Sequence, residues 1–359
     1  MRIFLDTRTQ VTFFVFVFIA YKTIHMKQLL LRYPVTGYLL ITFAYTYSIW
    51  FLPVLIDLPA DLAYTTNILG GAGPLLAALI LTALRSGVRL QIGSMKLFVF
   101  FFLFAAFVLL MRLYFSEQLN NTVTVPGLQQ IGWASVPVLA AVFFIVGFNA
   151  SQATNIRMQE NYIRSFLFSR AAAKWYLLAF GIIPFIYLSS YILGVVFSLP
   201  LSDYIFKGSP LIIFSFFTTL LMTGGNEEFG WRGFMQKELQ KKYNPLIVAF
   251  IISFFWSLWH LPLHYNGIYS TGGYQDLLPR FVWLFPITIG FTWLYNRSSY
   301  SMLAVCILHA VLNNSINRLG YSATLTWVIF GLVILFCIVE GKMWKRRDYH
   351  TAAYGAENV

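Results

Sequence analysis

The sequence predicts an all-α, polytopic transmembrane helical bundle of about ten spans. Three observations carry that prediction. First, only 11% of the 359 residues are charged while 58% are hydrophobic, against about 25% charged residues in a soluble domain. Second, Phe, Tyr and Trp together make up 19% of the chain, more apolar surface than a soluble core can hide, so lipid must cover part of it. Third, the apolar residues fall in segments of about 20, the length an α-helix needs to cross the hydrocarbon core.

Taken in order, the candidate spans are Val35–Ile56, Asn67–Leu84, Leu97–Phe115, Trp133–Phe148, Trp175–Phe197, a helix starting at Pro210, Pro245–Leu263, Phe281–Asn296, Ser301–Asn317 and Thr324–Gly341. Val11–Tyr21 is too short to be a firm span and lacks the small-residue cleavage site of a signal peptide. Ser209-Pro210 and Asn244-Pro245 each place a capping side chain ahead of a proline at the first helical position. Cys306 and Cys337 both lie inside apolar segments and can build neither a disulfide framework nor a thiolate metal site. The expected organisation is N-terminal transmembrane helices over 1–204, a catalytic core over 205–320, a last helix with a basic flank over 321–347, and a disordered cytoplasmic tail over 348–359.

The net charge of +12 would suggest a nucleic-acid partner in a soluble protein. Here the Lys and Arg residues lie between the apolar segments and read as topology signals, with no nucleic-acid signature. With alternating spans, one side holds Lys22, Lys27, Arg32, Arg85, Arg89, Lys96, Arg157, Arg164, Arg170, Lys174, Lys237, Lys241, Lys242, Arg297, Lys342, Lys345, Arg346 and Arg347. The other side holds Arg112, Lys207, Arg280 and Arg318. Eighteen against four makes the first side cytoplasmic, with the C-terminus on it.

Ionisable residues within apolar spans are functional candidates. They cluster in the last third of the chain: Glu227, Glu228, Arg232, His260 and His309, with Asn313 beside them. If the helix from Pro210 continues through Arg232, Glu228 and Arg232 are i and i+4 and neutralise one another on one face. Glu227 then points about 100° away and needs a partner from another helix. At 1.5 Å per residue, Glu227 lies roughly 15–20 Å, His260 roughly 22 Å and His309 roughly 12–18 Å from the same membrane face. Asn313 follows His309 by one turn. Glu, His, His and Asn can therefore meet in one cavity, where a carboxylate acts as a general base toward water, an imidazole holds that water, and a second imidazole with an amide N–H stabilises an oxyanion.

Taken singly, each residue has a plainer reading. The two glutamates can open the end of a helix, His260 can belong to an interfacial belt with Trp256, Trp259 and His264, and Asn313 and Asn314 can be interhelical glue. His264 reads as a loop-edge residue. Glu and two His could also bind zinc, but there is no H-E-x-x-H. A transporter or scaffold is a third class, weakened by the lack of paired broken helices in an inverted repeat.

Three motifs, in order on consecutive apolar helices, favour the hydrolytic reading over a metal-dependent form or a scaffold or transporter giving bacteriocin-type immunity: Glu227-Glu228-Phe-Gly-Trp-Arg232, Trp256-Ser-Leu-Trp-His260 and His309-Ala-Val-Leu-Asn313. Over about 205–320 the sequence resembles the CPBP family of intramembrane glutamate proteases (CAAX prenyl protease, Abi, bacteriocin-processing). Trp256 stands where the family's F-x-x-x-H motif has Phe, and Gly73-Pro74-Leu-Leu-Ala-Ala is a weaker upstream likeness. The resemblance implies an intramembrane endopeptidase in which Glu227 is the general base, His260 positions water, His309 and Asn313 form the oxyanion site, and Glu228 and Arg232 support the architecture or the substrate. It implies no cofactor, with zinc required only in a metal-dependent version. The implied partners are the bilayer and a membrane-embedded or lipidated peptide or protein substrate, in a bacterial plasma membrane. The substrate's identity and the oligomeric state are not encoded in any motif.

Overall fold

A computed structural model describes residues 27–56, 58–118, 133–158, 162–169, 171–202, 211–269, 272–315 and 321–346. Val11–Tyr21, Ser209-Pro210 and the tail from Asp348 lie outside them. Among the described residues every regular element is helical and there is no strand. The main helices are α1 (Pro34–Trp50), α2 (Ala60–Gly70), α3 (Gly73–Ser86), α4 (Met95–Gln118), α5 (Val136–Ser151) and α6 (Ala173–Val196). They continue as α7 (Leu211–Leu221), α8 (Pro245–Trp259), α9 (Leu277–Arg297), α10 (Met302–Ser315) and α11 (Ala323–Gly341).

Among the described residues six stretches are long and apolar enough to cross a membrane: Leu62–Ser86, Met95–Phe115, Trp133–Thr154, Ala173–Val196, Gly273–Arg297 and Ala323–Gly341. The protein is a multi-pass integral membrane protein. The other expected spans are shorter. Helices α8 and α10 have 15 and 14 residues, α7 has 11, and α1 has 17 before a short turn at Leu52–Leu55. This departure from ten full-length spans has a physical pattern. The long helices α4 and α11 are the lipid-facing ones, with only 17% and 11% of their apolar windows buried. The short helices α7, α8 and α10 carry the inner part of the bundle. Backbone can leave the helix at membrane depth only where protein surrounds it.

The expected single helix from Pro210 through Arg232 is not continuous. It ends at Leu221, breaks at Thr223-Gly224, makes a 3₁₀ turn at Gly225–Glu227 and resumes as a π-helix over Phe229–Gln236. Every residue of that π-helix is buried, so the break is enclosed by protein. The familiar Gly73-Pro74 stretch begins α3, whose glycine allows close packing on Thr46 of α1. The same helix packs against the π-helix at Gly230, where Pro74 and Tyr38 leave no room for a side chain.

The basic connections do gather at one end of the bundle. Arg85 and Lys241 both bind Oε1 of Glu238 at 2.8 Å, and Arg346 donates to the Lys241 carbonyl at 2.8 Å. Burial alone would push the Glu238 carboxyl up, but its hydrogen bonds from Arg85 and Lys241 outweigh this and hold it below the usual range. Arg297 pairs with Glu340 at the last turns of α9 and α11. Residues from connections far apart in sequence thus share one face, as alternating spans require.

Asn244 caps α8 as its sequence position predicts, its Oδ1 accepting the Ile247 amide at 3.0 Å. Asn244→Ala is expected to lower unfolding free energy by about 1 kcal/mol, read as a reduced melting temperature of the detergent-solubilised protein.

Candidate active site

The break between α7 and the π-helix turns two consecutive glutamates in different directions. Glu228 faces inward and is fully buried with Arg232. Nη1 of Arg232 lies 3.0 Å from Oε2 and 3.3 Å from Oε1 of Glu228. The guanidinium is sandwiched between Trp256 of α8 and Phe291 of α9, its carbon 4.8 and 4.7 Å from the two ring centres. A buried charge needs such partners, because leaving it unpaired costs several kcal/mol. The i, i+4 pairing expected from sequence is therefore present, although the backbone carrying it is a π-helix.

Glu228 also reaches α10. His309 donates Nδ1–H to Glu228 Oε1 at 2.7 Å, which fixes the imidazole ring and leaves Nε2 as its other polar atom. The ring stands edge-on to Trp256 and Phe291, with both centroid separations 5.6 Å. Gly224 closes the other side: a Cβ there would lie 3.0 Å from both Cδ2 and Nε2 of His309. The glycine at the helix break is thus a packing requirement of the imidazole.

Glu227 takes its partner from another helix, as its sequence position requires. The Trp256 indole donates Nε1–H to Glu227 Oε2 at 2.9 Å. Among the described residues no other side-chain hydrogen bond reaches this carboxylate, so Oε1 is available to a further donor such as water. Trp256 is the residue that departs from the family's Phe. A phenyl ring offers no such donor, so the exchange changes the chemistry around Glu227.

His260 sits just past the end of α8, 4% exposed. It donates Nδ1–H to the Trp256 carbonyl at 2.7 Å, which leaves Nε2 as an acceptor. Its ring centre is 6.0 Å from that of Trp256. Trp256 therefore touches Glu227, His260, His309 and Arg232, and unites four of the six residues singled out from sequence. Trp256 and Trp259 are buried, at 2% and 0%, so they form no interfacial belt. His264 ends the short turn after α8, where it is buried and pairs with Asp276 at 3.2 Å.

The expected fourth member behaves differently. Asn313 is exposed, whereas the next residue, Asn314, donates to Thr219 Oγ1 at 3.2 Å and to the Ala310 carbonyl at 2.8 Å. Asn314 is the interhelical glue. Sequence reading also missed Gly224 and the donor role of Trp256. The Gly-Gly pair before Asn226 was the available signal for the first.

Zinc needs three or more converging ligands. Among the described residues no group of three His, Cys, Asp or Glu side chains is arranged to hold a metal. Both imidazoles direct Nδ1 to other partners, and Glu228 is committed to Arg232.

Comparison with known proteins covers the same part of the chain. Residues 209–315 match the family model "Type II CAAX prenyl endopeptidase Rce1-like". This region is similar to Rce1-like CAAX prenyl endopeptidases. It contains the whole cluster, from the α7 break through α10. A curated relative, CAAX prenyl protease 2 of Methanococcus maripaludis, is 28% identical over 195 residues, covering 50% of this chain and 69% of that protein. Both likenesses support a peptide-bond hydrolase within a membrane-spanning helical bundle.

Gly224→Ala should lower kcat by about 10- to 100-fold through displacement of His309, with the melting temperature changed by only a few degrees. Gly181→Ala on α6, with nothing within 4 Å of its Cβ, should leave both unchanged. Equal activity of the two variants would show that the His309 position does not matter.

Proposed function

We propose that this Rce1-like domain hydrolyses a peptide bond with a water activated by Glu227. The observation that supports this most is the different engagement of the adjacent glutamates. Glu228 is neutralised by Arg232 and bound to His309, while Glu227 accepts a single side-chain hydrogen bond, from Trp256.

In this mechanism a water lies between Glu227 Oε1 and His260 Nε2, donating one hydrogen bond to each. Its oxygen attacks the scissile carbonyl carbon as its proton passes to Glu227. In its doubly protonated form, His309 donates Nδ1–H to Glu228 and Nε2–H to the developing oxyanion. Asn313 turns its exposed amide toward the same oxygen when a peptide enters beside α10. The protonated Glu227 then gives its proton to the departing amine nitrogen as the C–N bond breaks. No metal is needed in this sequence. The zinc-dependent version has no supporting donor set among the described residues.

The substrate is proposed to be a membrane-embedded or lipidated peptide or protein. The relative is named a CAAX prenyl protease, so a peptide ending in a prenylated CAAX sequence is the first to test. The C-terminus is proposed to lie on the cytoplasmic side, with the basic end of the bundle against anionic headgroups.

Glu227→Gln and His260→Ala should each reduce kcat by at least about 100-fold on a membrane-presented peptide, with unchanged elution on size exclusion. Chelation with 1,10-phenanthroline should leave wild-type turnover intact. Full turnover by Glu227→Gln would reject the carboxylate base, and chelator-sensitive turnover restored by zinc would establish the metal-dependent version.

A further inference from the structure

Past the end of α8 the chain makes a 3₁₀ turn, Leu261–His264, and Tyr269 follows. Three polar groups surround the Tyr269 ring. The imidazoles of His260 and His264 lie 5.7 and 5.6 Å from its centre, and the guanidinium carbon of Arg280 lies 4.4 Å from it. Because two of these distances share one ring centre, Arg280 stands within roughly 10 Å of the His260 imidazole. It lies within electrostatic reach of Glu227 as well.

Arg280 is placed unlike Arg232, Arg85 and Arg297. Arg232 is paired with Glu228, Arg85 with Glu238 and Arg297 with Glu340. Among the described residues no carboxylate lies within ion-pair distance of Arg280, and its Nε is buried with no hydrogen-bond partner. The neighbouring acid one turn earlier, Asp276, pairs with His264. A half-buried guanidinium on an aromatic face keeps its edge donors directed in the ring plane. A carboxylate is the planar anion that such a fork receives with two parallel hydrogen bonds. An unpaired, partly desolvated cation this close to the reacting groups is a site waiting for an anion from the substrate.

We propose that Arg280 binds the free α-carboxylate of the peptide substrate and so selects bonds close to a C-terminus. The proposal rests on the reading of Glu227 and His260 as the water-activating pair. An extended chain covers about 3.3–3.6 Å per residue. A fully extended peptide covers a separation of roughly 10 Å with about three residues, which sets the bond cut close to the anchored terminus. In that arrangement Arg280 is a specificity-determining residue, and cleavage is counted from the end of the chain.

The test uses the full chain in non-ionic detergent and a farnesylated peptide ending Cys-aliphatic-aliphatic-Ser, prepared as the free acid and as the C-terminal amide. Wild-type protein should cleave the acid at least tenfold more efficiently, chiefly through KM. The Glu227→Gln protein should bind the acid at least tenfold more tightly than the amide. Introducing Arg280→Gln should bring both ratios close to one, while Arg280→Lys keeps part of the preference. Tyr269→Leu, which removes the stacking face, should weaken it. Equal handling of acid and amide by the wild type, or an undiminished preference after Arg280→Gln, would overturn the proposal. Equal handling is also what pairing of Arg280 with a lipid phosphate would produce. If the wild type cut neither peptide, the proteolytic reading would fail, and the acid-to-amide binding ratio would still decide the role of Arg280.

Discussion

Everything at the centre of this bundle depends on one buried ion pair, Glu228 with Arg232. Both side chains are fully enclosed, and neither would be tolerated alone at that depth. Their pairing is carried on the π-helix over Phe229–Gln236, a form found mostly as short segments at functional sites. It also requires two aromatic faces, Trp256 and Phe291, drawn from α8 and α9. His309 then hangs from the free edge of Glu228, which brings in α10. One electrostatic constraint thus fixes four segments of chain relative to each other.

The outcome is a division of labour between adjacent residues of identical chemistry. Glu228 is used up by structure. Glu227, one residue earlier and the last residue of the 3₁₀ turn, keeps an oxygen available. Trp256 couples the two: its indole face covers Arg232 while its N–H binds Glu227. A helix that ran unbroken from α7 would carry both glutamates on a regular surface, without the Gly224 gap into which the His309 ring fits. The break in the helix is therefore part of the site's construction, and the long lipid-facing helices allow it by shielding the short ones.

Much of this was legible in the sequence because charge is so conspicuous in an apolar chain. Glu227, Glu228, Arg232, His260 and His309 stood out for that reason, and the structure buries all five around Trp256. The distribution of Lys and Arg likewise foretold which connections meet, as Arg85, Lys241 and Arg346 do. What stayed hidden was backbone. Hydropathy cannot distinguish a continuous helix from one that breaks at Gly224 and resumes as π, because both expose the same residues to the same environment. Helical spacing also put Asn313 on the His309 face, whereas the structure leaves it exposed and uses Asn314 to bind α7. Arg280 was counted only as a topology charge, since its relation to Tyr269 and His260 arises from tertiary folding of the loop.

The central claim is that Glu227 acts on water and does not attack the peptide itself. A single turnover in H₂¹⁸O, with enzyme in excess over a cleavable membrane peptide, tests this directly by mass spectrometry of both product and protein. The account predicts one ¹⁸O atom in the new carboxyl group of the product and none in the Glu227 carboxylate. Label incorporated into Glu227 would mean that the glutamate had formed an acyl-enzyme, and would contradict the account.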